Sequence, residues 1–495
     1  MTGHWLGVDL GTSGVKVVAV DESGAVVASH TSSYPLQTPR PGWTEQRPED
    51  WWDATLEAVR AVGERVDGDV VGIGLSGQMH GMVALDAHDE VLRPAILWND
   101  NRNAAECDLL LDRVGGLDGL LGLTNNASLP GYTIGKILWL REHEPELFAR
   151  TEVVLNPKDH LRWRLTGERA TDVSDASGFG ALDVRNRRWS SDLMAALELP
   201  ESLLPPVVES DTPVGRLTAE AAALTGLPVG TPVVAGGGDS VLQTTSMGIV
   251  SPGTLGITLG TAGILGAAIE HCPDNAHGRL QISCGNEAGR WHVMGVALSA
   301  GGALQWWTDA IRALVPDASN ATVTALATRS PVGARGVRFL PYLVGERAPH
   351  VDPDARATFV GVDLGHDLTD LSRAVLEGAL LNLREIRDIM ADVGVPTDDV
   401  RVSGGASAYP LWRQTLADVL GTPVHQVTNG EQGAAYGAAL LAGVGGGRWA
   451  NLSEALGSVV VTDRVQPDPD SVAVHDASYD DFRRIYPAQT VMRNL

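Results

Sequence analysis

Residues 5–10 form an apolar run that ends in a tight polar turn, Gly11-Thr12-Ser13-Gly14, and residues 15–20 resume a β-branched run. Asp21-Glu22-Ser23-Gly24 turns the chain again, and residues 25–29 complete a third apolar stretch. Short runs joined by Gly-rich turns predict an antiparallel meander. Residues 48–66 have the periodicity of an amphipathic helix, with Glu49, Asp50 and Asp53 in the first turns, where the helix dipole favours acids. Residues 70–75 predict a buried strand ending on Ser76-Gly77-Gln78-Met79-His80-Gly81, and residues 95–98 another ending on Asn99-Asp100. Helices are expected over 132–143 and after Asn186, and a strand over 228–235 that enters Gly236-Gly237-Gly238-Asp239-Ser240.

The second half repeats this plan. Strands are expected over 255–259, 264–269 and 291–296, with Gly260-Thr261-Ala262-Gly263 as the first turn and a helix over 299–314. Leu10-Gly-Thr-Ser-Gly14 and Leu259-Gly-Thr-Ala-Gly263 are two copies of one hairpin, and Val400-Arg-Val-Ser-Gly-Gly405 mirrors Gly74-Leu-Ser-Gly77. A long helix over 371–393 and an Ala-rich one over 433–443 follow the same logic. The internal duplication predicts two similar α/β domains, each a mixed sheet flanked by helices, facing each other across a cleft. The boundaries expected are 1–240 and 241–450, with residues 451–495 packing back on the body as a strand and a terminal helix.

At 495 residues the chain exceeds what one core usually fills, which agrees with two domains. A formal net charge of −24 without a basic stripe argues against nucleic acid or a membrane surface as partner. An anionic ligand must therefore be met by local backbone donors and a metal. No apolar run is long enough to span a bilayer, and the N-terminus has no signal-peptide pattern. Cys107, Cys272 and Cys284 are scattered and odd in number, as expected of reduced thiols in a cytoplasmic protein. The only lysines are Lys16, Lys136 and Lys158, and each falls inside a motif.

The first hairpin is not a P-loop or a dinucleotide fingerprint, because a β-rich run and not a helix follows its glycines. Its small residues and hydroxyls still suit a polyphosphate: Thr12, Ser13 and, in the second copy, Gly260 and Thr261 offer backbone and side-chain donors, with Lys16 one strand residue away. Asp9 lies inside an apolar strand, where a carboxylate is costly without a partner, and Mg2+ accepts one or two carboxylates beside phosphates and water. Asp239 follows three glycines at a strand end, the placement expected of a base that accepts a hydroxyl proton. Gly404, Gly405 and Ala406, between a strand and a helix, suit backbone approach by adenosine. No tetrahedral His/Cys spacing and no nucleophile elbow with partners is present.

With these residues in place, the chain resembles the FGGY carbohydrate kinases almost end to end. One signature of that family is similar to Gly131-Tyr-Thr-Ile-Gly-Lys136-Ile-Leu-Trp139-Leu-Arg-Glu-His143, and a second to Gly361-Val362 followed by Asp370-Leu-Ser-Arg-Ala-Val-Leu-Glu377. Gly77-Gln78-Met79-His80-Gly81, Ile96-Leu-Trp98-Asn-Asp100, Pro157-Lys158-Asp159 and Phe339-Leu-Pro-Tyr342 with Gly345-Glu-Arg347 are similar to segments of the branch that phosphorylates xylulose. The resemblance implies two actin-like (ribonuclease H-like) ATPase domains, the first holding sugar and the second nucleotide. It implies Asp239 as general base, Met79, His80, Trp98 and Asp100 at the sugar, and Asp9 at a Mg–ATP centre. The implied reaction moves the terminal phosphate of ATP to D-xylulose, with ribulose, glycerol or a non-catalytic ATP-binding role as alternatives. Many family members carry Asn after the catalytic aspartate; Ser240 stands here, which leaves the preference among small ketoses and polyols open. Members are often dimers, so a homodimer is admitted, although no interface stripe stands out.

Overall fold

The computed structural model describes residues 3–493. Their contacts divide into two units. The first comprises residues up to 251 together with 268–292 and 432–459; the second comprises 252–267, 293–431 and the chain from 460 onward. This differs from boundaries at 240 and 450, because the helix Gly433–Gly445 returns to pack on the first sheet.

In the first unit the expected meander is present as β1 (Gly3–Leu10), β2 (Gly14–Val20) and β3 (Val26–Ser33), paired antiparallel in turn. The helix α1 (Pro48–Gly63) stops three residues short of the expected end, where the chain turns through Gly68, whose φ is 135°. β4 (Asp69–Gly77) then pairs parallel with β1. Two helices follow that matter for the site, α2 (Pro157–Thr166) and α3 (Val173–Phe179). After Asn186 the chain forms a short strand, Arg188–Trp189, before the expected helix, Ser191–Ala196. β5 (Pro213–Arg216) and β6 (Pro232–Val234) complete the order β5-β6-β4-β1-β2-β3, with β7 (Gly237–Gly238) also on β4. Asp239 opens the helix α4 (Asp239–Ser246) and does not sit in a loop.

Alternation along β1 decides what each face carries. Leu6, Val8 and Leu10 enter a core with Trp51 and Val59 of α1, whereas Trp5 enters a second core built on the helix Gly433–Gly445. Gly7 and Asp9 share the face of Trp5. A Cβ on Gly7 or Gly74 would collide with the carbonyl of Ala435 or Ala438, so the Ala-rich helix lies directly on the sheet. Its Gly437 in turn faces the Leu242 carbonyl of α4, which fixes the helix that begins with Asp239.

The second unit is built on β8 (Thr254–Leu259), β9 (Gly263–Ile269) and β10 (Trp291–Ala297), then α5 (Gly301–Ile311), β11 (Asp399–Ser403), β12 (Val424–Val427) and β13 (Val461–Val465). The sheet order β10-β9-β8-β11-β12-β13 reproduces β3-β2-β1-β4-β6-β5 of the first unit. The signs agree too: β8 runs antiparallel to β9 and parallel to β11, β11 parallel to β12, and β12 antiparallel to β13. Duplication read from two hairpins thus extends to six strands of each sheet. The C-terminal segment forms β13 and the helix α6 (Pro469–Arg493), as expected. Among the described residues no helix is long and apolar enough to cross a membrane.

Candidate active site

Three strand ends of the first unit meet at one place: β1 at Leu10, β4 at Gly77 and β7 at Gly238, with Leu10 opposite Gly77 and Gly77 opposite Gly238. The carboxyl ends of parallel strands are where open α/β sheets bind ligands. Asp9, Gln78-Met79-His80 and Asp239 all emerge there.

Asp9 lies opposite Lys16 on β2 and Ser76 on β4. Burial pushes its carboxyl upward, opposed by the nearby Ser76 hydroxyl and the Lys16 charge. Asp239 is pushed up to about 7, first by burial and then by the neighbouring Asp9 charge, against hydrogen bonds from Ser240. The Ser240 N–H donates to Asp239 Oδ1 at 2.7 Å, and Ser240 Oγ reaches Met79 Sδ at 3.1 Å. Two like charges facing each other in a desolvated place mark a functional site more often than a structural one. Each glycine before Asp239 has a steric reason: Gly236 has φ 88° against the Leu75 carbonyl, a Cβ on Gly237 would meet the Asn286 amide, and one on Gly238 would enter the Met79 thioether.

His80 has a left-handed backbone, φ 69°. Its ring stacks on Tyr132, centroids 4.6 Å apart, and its Nδ1 faces the Gly178 carbonyl at 2.5 Å. A carbonyl only accepts, so Nδ1 carries a hydrogen and donates it. Fully buried Lys136 donates to the carbonyls of His80, 2.6 Å, and Gly131, 2.7 Å; burial draws its ammonium down to about 7. Lysine in the Gly131–His143 signature thereby anchors the His80 loop, and Tyr132 of the same segment stacks on it. Sequence reasoning named the segment but neither role.

The turn Gly11-Thr12-Ser13-Gly14 has its carbonyls tied inward: Tyr34 holds those of Gly11 and Ser13, and Gln46 Nε2 that of Thr12 at 2.7 Å. Trp98, a partly exposed ring, donates from Nε1 to Thr12 Oγ1 at 2.9 Å. Asp100 lies deeper in the same loop. Its carboxylate has no exposed surface and accepts from Arg102 Nη2 at 2.7 Å and the Thr44 N–H at 2.6 Å. Its Oδ1 accepts from the Arg102 N–H and Nε, each at 2.9 Å, so Asp100 fixes the loop that carries Trp98.

In the second unit the corresponding turn is pinned alike. The carbonyls of Gly260 and Thr261 accept from the N–H groups of Gly301, 2.9 Å, and Gly302, 3.0 Å, at the start of α5. Thr258 on β8 lies opposite Ser403 on β11, which brings Gly404-Gly405-Ala406 beside the Gly260 turn. Gly404, φ 90°, lies against the Leu259 backbone where no side chain fits. Gly404 and Gly405 are exposed.

Among the described residues no group of three or more His, Cys, Asp or Glu could hold a metal. Mg2+ shared with phosphates asks for less, one or two carboxylates. Asp9 Oδ1, buried and without a hydrogen-bond partner beside a second carboxyl, fits that donor set.

Comparison with known proteins agrees with this geometry. The N-terminal domain of the FGGY family of carbohydrate kinases matches residues 4–246, and its C-terminal domain residues 255–446. The chain is 40% identical to a xylulose kinase of Escherichia coli (strain K12), over 97% of this chain and 98% of that one. It superposes on the crystal structure of a xylulose kinase from Rhodospirillum rubrum with a TM-score of 0.92 and 31% identity, covering 99% of this chain and 100% of the other. A gluconate kinase from Lactobacillus acidophilus gives a TM-score of 0.93 at 25% identity, covering 99% and 98%, so the fold alone does not choose the sugar.

Proposed function

The chain belongs to the FGGY family of carbohydrate kinases, and we propose that it transfers the terminal phosphate of ATP to D-xylulose, giving D-xylulose 5-phosphate and ADP. The observation that carries the chemistry is the Asp239 carboxyl, pushed up to about 7 at the meeting of three strand ends. A base of that basicity is half ionised near neutral pH and accepts a proton without being permanently charged. Asp239 takes the hydrogen of the sugar hydroxyl on carbon five as its oxygen bonds to the terminal phosphorus and the bond to the ADP oxygen breaks. Met79 and the His80 loop receive the sugar, with Trp98 beside the Thr12 turn.

Thr12, Ser13, Lys16, Gly260 and Thr261 are the residues assigned to nucleotide phosphates, and Gly404, Gly405 and Ala406 those assigned to adenosine. Hydrogen bonds that pin the carbonyls of both turns support this assignment, because they fix the shape of small-residue turns of the kind that accept a phosphate. Asp9 would hold Mg2+, which neutralises charge on the transferring phosphate when bound.

ADP release, measured with D-xylulose and separately with ribulose, glycerol and gluconate, tests the reading. D-xylulose should stimulate release far above the sugar-free rate; ATP hydrolysis indifferent to every sugar would refute it. Lys136 gives a further test. Met at this position leaves the carbonyls of His80 and Gly131 without donors, a loss of about 1–3 kcal/mol per buried group. Michaelis constants should show the D-xylulose value raised about tenfold or more with the ATP value unchanged.

A further inference from the structure

Behind Asp239 lie five charged side chains with no exposed surface that the reaction above does not use. Lys158, Asp159 and Arg162 belong to α2, while Asp172 caps α3 and Asp175 stands in its first turn. Lys158 Nζ is 2.6 Å from Asp159, 3.0 Å from Asp172 and 3.5 Å from Asp175, and Arg162 is 2.8 Å from Asp159. Apolar residues of the same volume would often stabilise a core as well or better than such a cluster, so stability alone does not account for it.

Its reach supplies another reason. Lys158 and Arg162 each donate to the Ala235 carbonyl at 3.2 Å, immediately before the three glycines. At the far end of those glycines the Gly238 N–H donates to Ser174 Oγ at 3.1 Å, and Ser174 Oγ donates to Asp172 Oδ2 at 2.5 Å. Asp172 is itself a partner of Lys158, so both ends of the turn are fastened to one ionic cluster. Glycines have no side chains with which to hold a conformation, and three in a row before the base need an external clamp.

We propose that Lys158, Asp172 and Ser174 are positioning residues that clamp the glycine turn and so hold the Asp239 carboxylate against the sugar hydroxyl. The inference rests on the reading of Asp239 as the base. A base must lie within hydrogen-bond reach of its proton, and a displacement of about 1 Å can cost on the order of 10²-fold in rate.

Two serines separate positioning from packing. Ser174 and Ser210 are both buried and both donate to Asp172 Oδ2, at 2.5 and 2.8 Å, but only Ser174 also accepts from Gly238. Ser174→Ala and Ser210→Ala therefore delete similar bonds to one carboxylate. Steady-state kinetics and melting temperature are measured for both, beside Asp239→Asn. The proposal expects Ser174→Ala to lower kcat about tenfold or more, with KM for D-xylulose and ATP within about twofold, and Ser210→Ala to keep kcat within about twofold. Equal loss of kcat in the two serine variants, or parental kcat in Ser174→Ala, overturns it. If Ser174→Ala is insoluble, Ser174→Cys keeps the volume with a weaker acceptor, and the same split is expected. Parental turnover in Asp239→Asn would remove the base itself and the inference with it; a crippled Asp239→Asn beside a normal Ser174→Ala removes the clamp alone.

Discussion

Asp239→Asn should lower turnover by about 10²–10⁴-fold while ATP affinity stays close to the parental value. The asparagine oxygen can still accept the Ser240 N–H that now meets Asp239 Oδ1 at 2.7 Å, so the helix start keeps its geometry and only the proton acceptor is lost. The pH dependence follows from the raised carboxyl. With a value of about 7, the parent should lose kcat/KM about tenfold per pH unit as the medium is acidified below that point, and the variant should lack this limb. Stability should move the opposite way. Between the ordinary 3.8 and about 7 the folded protein holds this proton more tightly than the unfolded chain, so acidification through that window stabilises it. Above about 7 the cost of an ionised, enclosed carboxylate beside Asp9 is fully present, and Asn removes it. The variant should therefore melt at least as high as the parent at pH about 8. A large drop in melting temperature alongside the lost turnover would point to a structural role instead. Stability given up at a carboxylate pair is common where chemistry needs it.

Gly7→Val should leave little folded protein. The Ala435 carbonyl occupies the place of the new Cβ, and both partners are backbone, one in a central strand and one in the buried stretch of a helix. Overpacking a core costs about 1–3 kcal/mol where side chains can yield, and here none can, so the loss should exceed that range. Gly63→Ala is the matched comparison, because nothing lies within 4 Å of its added Cβ at the end of α1. That change should be neutral or stabilise by about 0.4–1 kcal/mol through the unfolded chain. Urea midpoints for Gly7→Ala, Gly7→Val and Gly63→Ala give the ordering; a parental midpoint for Gly7→Ala would show that the helix is free to retreat.

Much of the site was legible because it is local. Gly11 to Gly14 and Gly260 to Gly263 are contiguous turns whose neighbours alternate every second residue, and Asp9 is conspicuous as a charge inside such a run. Asp239 stood out the same way, as a carboxylate after three glycines, although its place at the head of α4 did not. The bond from the Thr44 N–H to Asp100 was not legible, because Thr44 lies 56 residues away and meets the carboxylate only in the folded chain. The clamp behind Asp239 draws on Lys158, Asp172, Ser174 and Ala235, and no periodicity links those positions.

By itself, the sequence determined the strands, the duplicated hairpins and the family, since each follows from alternation and turn chemistry within a few residues. Tertiary structure alone decided that the helix Gly433–Gly445 closes the first sheet, that Lys136 anchors His80, and that burial and the Asp9 charge push the Asp239 carboxyl upward. Burial and the charges that share it belong to places where distant segments meet, and a linear pattern has no measure of either.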